Sequence, residues 1–162
     1  MSKEFAYIVC DSPAGIEKGA NLALYFADDA FVVTNPEISS VRDSDRMLGI
    51  LSSKSRRAER NEEPIKEYLL LTRYDSDRVR SGEMLSLDDV QEILSLDLLG
   101  IIPESKSVLS ASNAGVPVIL DEKSEAGQAY TDVVARYLGE KRPHRFIDGK
   151  QGFLRRLFGG RK

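Results

Sequence analysis

Asp11 is the first residue whose type and place suggest chemistry. It follows the unbroken apolar run FAYIVC, residues 5–10, and Pro13 and Gly15 lie just beyond it. A run without in-out alternation suits a strand buried on both faces of a parallel sheet, and binding crevices in such sheets open at the carboxyl ends of the strands. The position therefore predicts that Asp11 meets a metal-bound water or a phosphate. Later apolar runs end in similar loops: Asn35-Pro36-Glu37, Thr72-Arg73-Tyr74 and Ile102-Pro103-Glu104. Together they make one sheet edge the candidate site. The plainer reading is that Pro and Gly punctuate loops in every fold.

The elements that must position these loops are legible as an alternation. Strands are expected over residues 5–10, 30–34 (AFVVT), 68–72 (YLLLT) and 96–102 (LDLLGII), with a short extended segment over 116–120. Between them, residues 17–26 read as a short helix. A long helix has a capping-box-like start at Ser40 and Asp43, carries Val41, Leu48 and Leu51 at helical spacing, and runs into the polar stretch SKSRRAERNEEP. Ser86 and Asp89 cap LDDVQEIL, residues 105–113 form a helix stopped by Gly115, and Ser124 opens a final helix that Gly139 ends. This order predicts an α/β fold, a parallel sheet with crossover helices.

Composition excludes several classes. A chain of 162 residues, 41% hydrophobic and 30% charged, is one globular domain rather than a disordered or fibrous chain. One Cys and one His give neither a disulfide framework nor a Cys/His metal site, and a reducing compartment is expected. Cys10, inside the first apolar run, reads as a buried small hydrophobe rather than a nucleophile. His144 lies in a basic stretch after the last helix and reads as a surface or linker residue. Neither a signal peptide nor a membrane-spanning stretch is expected.

Charge is divided unevenly. Residues 141–162 hold eight Lys and Arg against Asp148 alone, a balance of +7, which leaves −10 for residues 1–140 out of a total of −3. An acidic body with a basic tail argues against nucleic acid as a partner and towards an anionic surface met by the tail. The expected organisation is a body over 1–140, a basic linker over 141–150 and a tail over 151–162. In that tail, Phe153, Leu154, Leu157 and Phe158 fall within an arc of roughly 140° on a helix, with Arg155 and Arg156 opposite. Its glycine-bracketed helical stretch is under two turns, too short to be helical alone in water, and is expected to order on an anionic membrane. Docking on the body is the plainer alternative.

With both ends in view, the sequence resembles the MinD family, the P-loop ATPases of the ParA/MinD group that select the bacterial division site. VCDSPAGIE, ALYFAD, TNPEISSVRDSDR, GILSSKSRRAE, EEPIKEYLLLTRY, GIIPE, PVILD and FLRRLFGG carry the resemblance along essentially the whole chain. It implies the carboxyl-terminal part of a family member. Family members begin with a strand and a phosphate loop, KGGxGKT, followed by a switch aspartate, and no GxxxxGK[ST] pattern occurs here.

The resemblance assigns roles residue by residue. Asp11 corresponds to the acid that holds Mg²⁺ through water and Gly15 to the switch glycine near the γ-phosphate. Thr72, Arg73, Pro103 and Glu104 correspond to the loops around the adenine of ATP. Glu17, Ser39, Asp43, Asp45 and Ile50 correspond to a surface at or beside the dimer edge that contacts MinC and MinE, and Phe153 to Phe158 to the membrane tail. In the family a homodimer forms with ATP, works at the cytoplasmic side as a peripheral membrane protein, and blocks aberrant septa with MinC under control by MinE. No catalytic residue is assigned to this chain, because half a phosphate site is not expected to hydrolyse ATP. Two functional classes stay open: a membrane-recruited ATPase completed by a phosphate-loop segment, and a non-hydrolysing membrane and partner-binding module or non-functional fragment.

Overall fold

The computed structural model describes residues 4–12 and 23–147. Its elements are β1 (Asp29–Thr34), α1 (Ile38–Lys54), α2 (Arg56–Glu59), β2 (Lys66–Tyr74), α3 (Ser76–Arg80), α4 (Leu87–Leu94), β3 (Asp97–Pro103), α5 (Lys106–Asn113), a 3-10 turn (Val118–Leu120) and α6 (Glu125–Tyr137). The strands form one parallel sheet in the order β1-β2-β3. The α/β class and the crossover helices match the expectation.

Small polar residues start the helices. Ser55, Asp75, Ser105 and Ser124 each accept an amide hydrogen bond from the first turn that follows. At α4, Ser86 and Asp89 form a reciprocal capping box, as their spacing predicts. The expected box at Ser40 and Asp43 is absent. Pro36 is buried and the chain turns directly into α1, with the amide of Val41 donating to the carbonyl of Glu37 at 3.0 Å, so Ser40 and Asp43 lie inside the helix. The extended segment expected over 116–120 is instead a 3-10 turn. No described strand neighbours it, and its amides bond locally, Leu120 to Pro117 and Asp121 to Val118.

The central strand is buried on both faces. Leu69 and Leu71 point to one side, with Val32, Val41, Tyr74, Val90, Leu94, Leu96 and Ile101, beneath α1 and α4. Leu70 points to the other, with Leu99, Ile102, Ala126, Ala129 and Val133, beneath α6. Fully buried leucines contribute about 1.5 to 3 kcal/mol each, so this double-sided packing anchors the sheet. A bulge in β3 sets the approach of α6. Leu69 pairs with Leu98 but Leu70 with Gly100, which aims Leu99 at α6 and leaves Gly100 beneath Val133. A Cβ on Gly100 would lie 2.3 Å from Cγ2 of Val133.

The strand expected over residues 5–10 is not formed. Among the described residues that segment pairs with no strand, and it is exposed throughout, Val9 to 92%. An apolar run supplies the side chains of a buried strand but not the neighbour its N–H and C=O groups require, and residues 5–10 have none here. Cys10 is therefore exposed, not buried. β1 is an edge strand, and on its α6 side Phe31 and Val33 are 44% and 58% exposed. Phe31 packs against the rings of Tyr68 and Tyr137, with Tyr7 beside Tyr137. Tyr137 donates to Asp29 at 3.0 Å, and burial followed by this bond pushes its hydroxyl up to about 12. Of the helix expected over 17–26, residues 23–25 are helical, and 13–22 lie outside the described residues.

Candidate functional site

The carboxyl ends of β1, β2 and β3 converge. Thr34 is buried at the end of β1, and Asn35 follows it into the turn. From β2, the Thr72 hydroxyl donates to Oδ1 of Asn35 at 2.9 Å, which ties the first two loops together. Arg73 takes a left-handed φ of 55°, and its Nε donates to Oε2 of Glu104 at 3.0 Å. The Glu104 amide donates to the carbonyl of Tyr74 at 2.9 Å, so main chain and side chain both bind the ends of β2 and β3. The Glu104 hydrogen bond and charge hold the Arg73 guanidinium above its ordinary value, with Glu37 adding from the first loop.

Thr72, Arg73, Pro103 and Glu104 are thus brought together as expected on one edge. The arrangement gathers hydroxyl, amide, guanidinium and carboxylate groups on one edge of the sheet. It contains no nucleophile and base in contact. Among the described residues no group of three or more His, Cys, Asp or Glu is placed to hold a metal ion.

The other expected residues are distributed differently. Asp11 is exposed in the unpaired segment, with no hydrogen bond or ion pair to another described residue. Gly15 and Glu17 lie outside the described residues, as do Phe153, Leu154, Arg155, Arg156, Leu157 and Phe158. On α1, Ser39, Asp43 and Ile50 fall within about 40° of one another, while Asp45 stands at least about 120° away. Asp43 is exposed and meets Arg46 at 3.4 Å, and Ile50 is half-buried in a shallow cavity with Leu24, Tyr25 and Lys54.

Sequence reasoning missed Asn35 as the partner of Thr72, and it missed a cluster on the far side of the sheet. There Asp132 of α6, 3% exposed, meets Nε of Arg145 at 2.7 Å. Nothing in the sequence marks that pair, because the two residues sit in different elements and share no helical or strand spacing. His144, expected at the surface or in a linker, is half-buried in the same cluster.

Over 158 residues the chain is 68% identical to the septum site-determining protein MinD of Escherichia coli K12, a match that takes in 97% of this chain and 58% of that protein. The chain is a homologue of MinD. The match falls on the carboxyl-terminal part of MinD, and the chain spans under two thirds of the curated relatives it matches. Among solved structures, the MinC:MinD cell division complex of Aquifex aeolicus superposes with a TM-score of 0.77 at 40% identity, covering 89% of this chain and 56% of that one. MinD of Pyrococcus horikoshii in complex with Mg-ADP superposes at 0.63 with 26% identity, covering 80% and 50%. No family model matches the chain. The described three-stranded sheet and its helices are thus part of the MinD fold, and no helix among the described residues is long and apolar enough to cross a membrane.

Proposed function

We propose that this chain acts in cell-division site selection as MinD does, on the cytoplasmic face of the membrane, presenting α1 to MinC and MinE and the residues 153–158 tail to anionic lipid. The observation that carries the reading is the 68% identity to a septum site-determining protein over nearly the whole chain. The MinC:MinD complex among the structural neighbours supports MinC as the partner. Two tails joined in a homodimer would gain about 10² to 10⁴ in avidity over one, which is the physical use of dimerisation for so short an anchor.

Toward ATP and Mg²⁺ the residues present fit on one side only. Thr72, Arg73, Pro103 and Glu104 form a joined edge suited to the adenine. ATP with Mg²⁺ supplies the phosphoryl chemistry when bound, but on the phosphate side Asp11 stands exposed on an unpaired segment and no phosphate-loop motif is present. No hydrolytic step is assigned to these residues.

Recruitment of MinC to anionic vesicles tests the proposal. The chain should carry MinC into the vesicle pellet, and Phe153→Glu or Leu157→Glu should abolish this while neutral vesicles recruit weakly. Equal sedimentation of MinC with and without the chain would contradict it.

A further inference from the structure

The segment after α6 does not leave the body. Arg136 of α6 grips it from one side, donating from Nε to the carbonyl of Arg142 at 3.0 Å and from Nη2 to that of Pro143 at 2.8 Å, while Nη1 reaches the carbonyl of Leu99 in β3 at 2.7 Å. One and two turns earlier on α6, Asp132 and Gln128 hold Arg145, at 2.7 Å and 3.2 Å. Phe146 then packs against the apolar clusters on both sides of the sheet, and Ile147 packs on the α1 side.

His144 lies between these grips and lines the same small cavity as Asp132, Arg136, Arg145 and Phe146. Its Nδ1 is buried with no hydrogen-bond partner. A neutral ring tolerates this, but a protonated ring carries N–H donors on both nitrogens, so Nδ1–H would be buried with no acceptor. It would also be a third cation beside Arg136 and Arg145, facing Asp132 as the one carboxylate, already engaged by Arg145. The β3 side offers only Ile101 and the Leu99 carbonyl, which Arg136 occupies, and Arg142 is turned to Glu140 at 2.8 Å.

We propose that residues 141–147 form a strap that closes on α6 and opens when His144 gains a proton. Burial first, then Arg136, holds the His144 ring below its ordinary value of 6.5 in the closed form. A lowered folded value means that the strap is fully stabilised above about pH 6.5 and loses that stabilisation as pH falls through the lowered value. Opening would free seven residues, up to roughly 25 Å of chain, between α6 and residues 148–162.

His144 is the only histidine, so proton NMR of the full chain reads its titration from one imidazole signal. The nuclear Overhauser effect between the Phe146 ring and the Ala129 methyl reports closure. It should be strong at about pH 7.5 and fall at least about fivefold once His144 is fully protonated, tracking the His144 titration with a midpoint below the ordinary value. In His144→Gln it should persist across the same pH range, and in Arg145→Ala it should be lost throughout. Persistence through the whole His144 titration in the parent chain, equal loss in His144→Gln, or retention in Arg145→Ala would each overturn the proposal.

Discussion

The Arg73 guanidinium and the Glu104 carboxylate meet at 3.0 Å across the ends of β2 and β3, in two loops 31 residues apart in sequence. Both side chains are exposed, so the pair adds little to stability; what it adds is geometry. With the Thr72 to Asn35 bond it joins three loops into one edge, the edge proposed above to face an adenine.

Gly100 is a packing position sensitive to a single methyl group. Gly100→Ala would press a Cβ against Val133 and set it 3.1 Å from Nη1 of Arg136, which must pass there to reach the Leu99 carbonyl. Overpacking of this kind costs about 1 to 3 kcal/mol. Chemical denaturation should show that loss, and Gly100→Ala with Val133→Ala should recover part of it.

Ser86→Ala should destabilise the fold by about 1 kcal/mol through loss of the α4 cap. The Ser86 hydroxyl first, and its amide second, hold the Asp89 carboxyl below its ordinary value of 3.8. A lowered folded value means stability present above 3.8 and lost as pH falls through the lowered value. The difference between parent and Ser86→Ala should therefore narrow in urea melts as pH is taken from about 5 to about 2. A difference that widened on acidification would contradict the capping-box account.

Much of this fold was legible because its signals are local. The Ser86 and Asp89 spacing, the LLL run of β2 and the Ser124 and Gly139 limits of α6 each depend on a few neighbouring residues. Residues 5–10 failed for the opposite reason: strand formation depends on a neighbour, and no periodicity reveals whether one is present. The rule for parallel sheets placed Thr72, Arg73, Pro103 and Glu104 together at the carboxyl ends of the strands, but their mutual bonds depend on register between β2 and β3. The Asp132 to Arg145 pair left no pattern at all, because the basic segment read as solvated charge.

Phe31→Glu with Val33→Lys should make the chain less prone to associate. These side chains are half-exposed on an edge strand, and apolar edges recruit other chains. Light scattering at rising concentration should fall in the double variant, with a lower thermal transition from the lost Phe31 ring contacts. Unaltered association would place the sticky surface elsewhere.

The central claim is that this chain carries one side of a MinD nucleotide site, and nucleotide binding tests it most directly. Titration of labelled ATP with Mg²⁺ into the purified chain, alone and mixed with a fragment carrying the MinD phosphate loop, separates the cases. The account predicts weak or no binding and no turnover by the chain alone. Binding should appear in the mixture and be lost in Asp11→Ala. Tight binding or hydrolysis by the chain alone, abolished by Asp11→Ala, would contradict it.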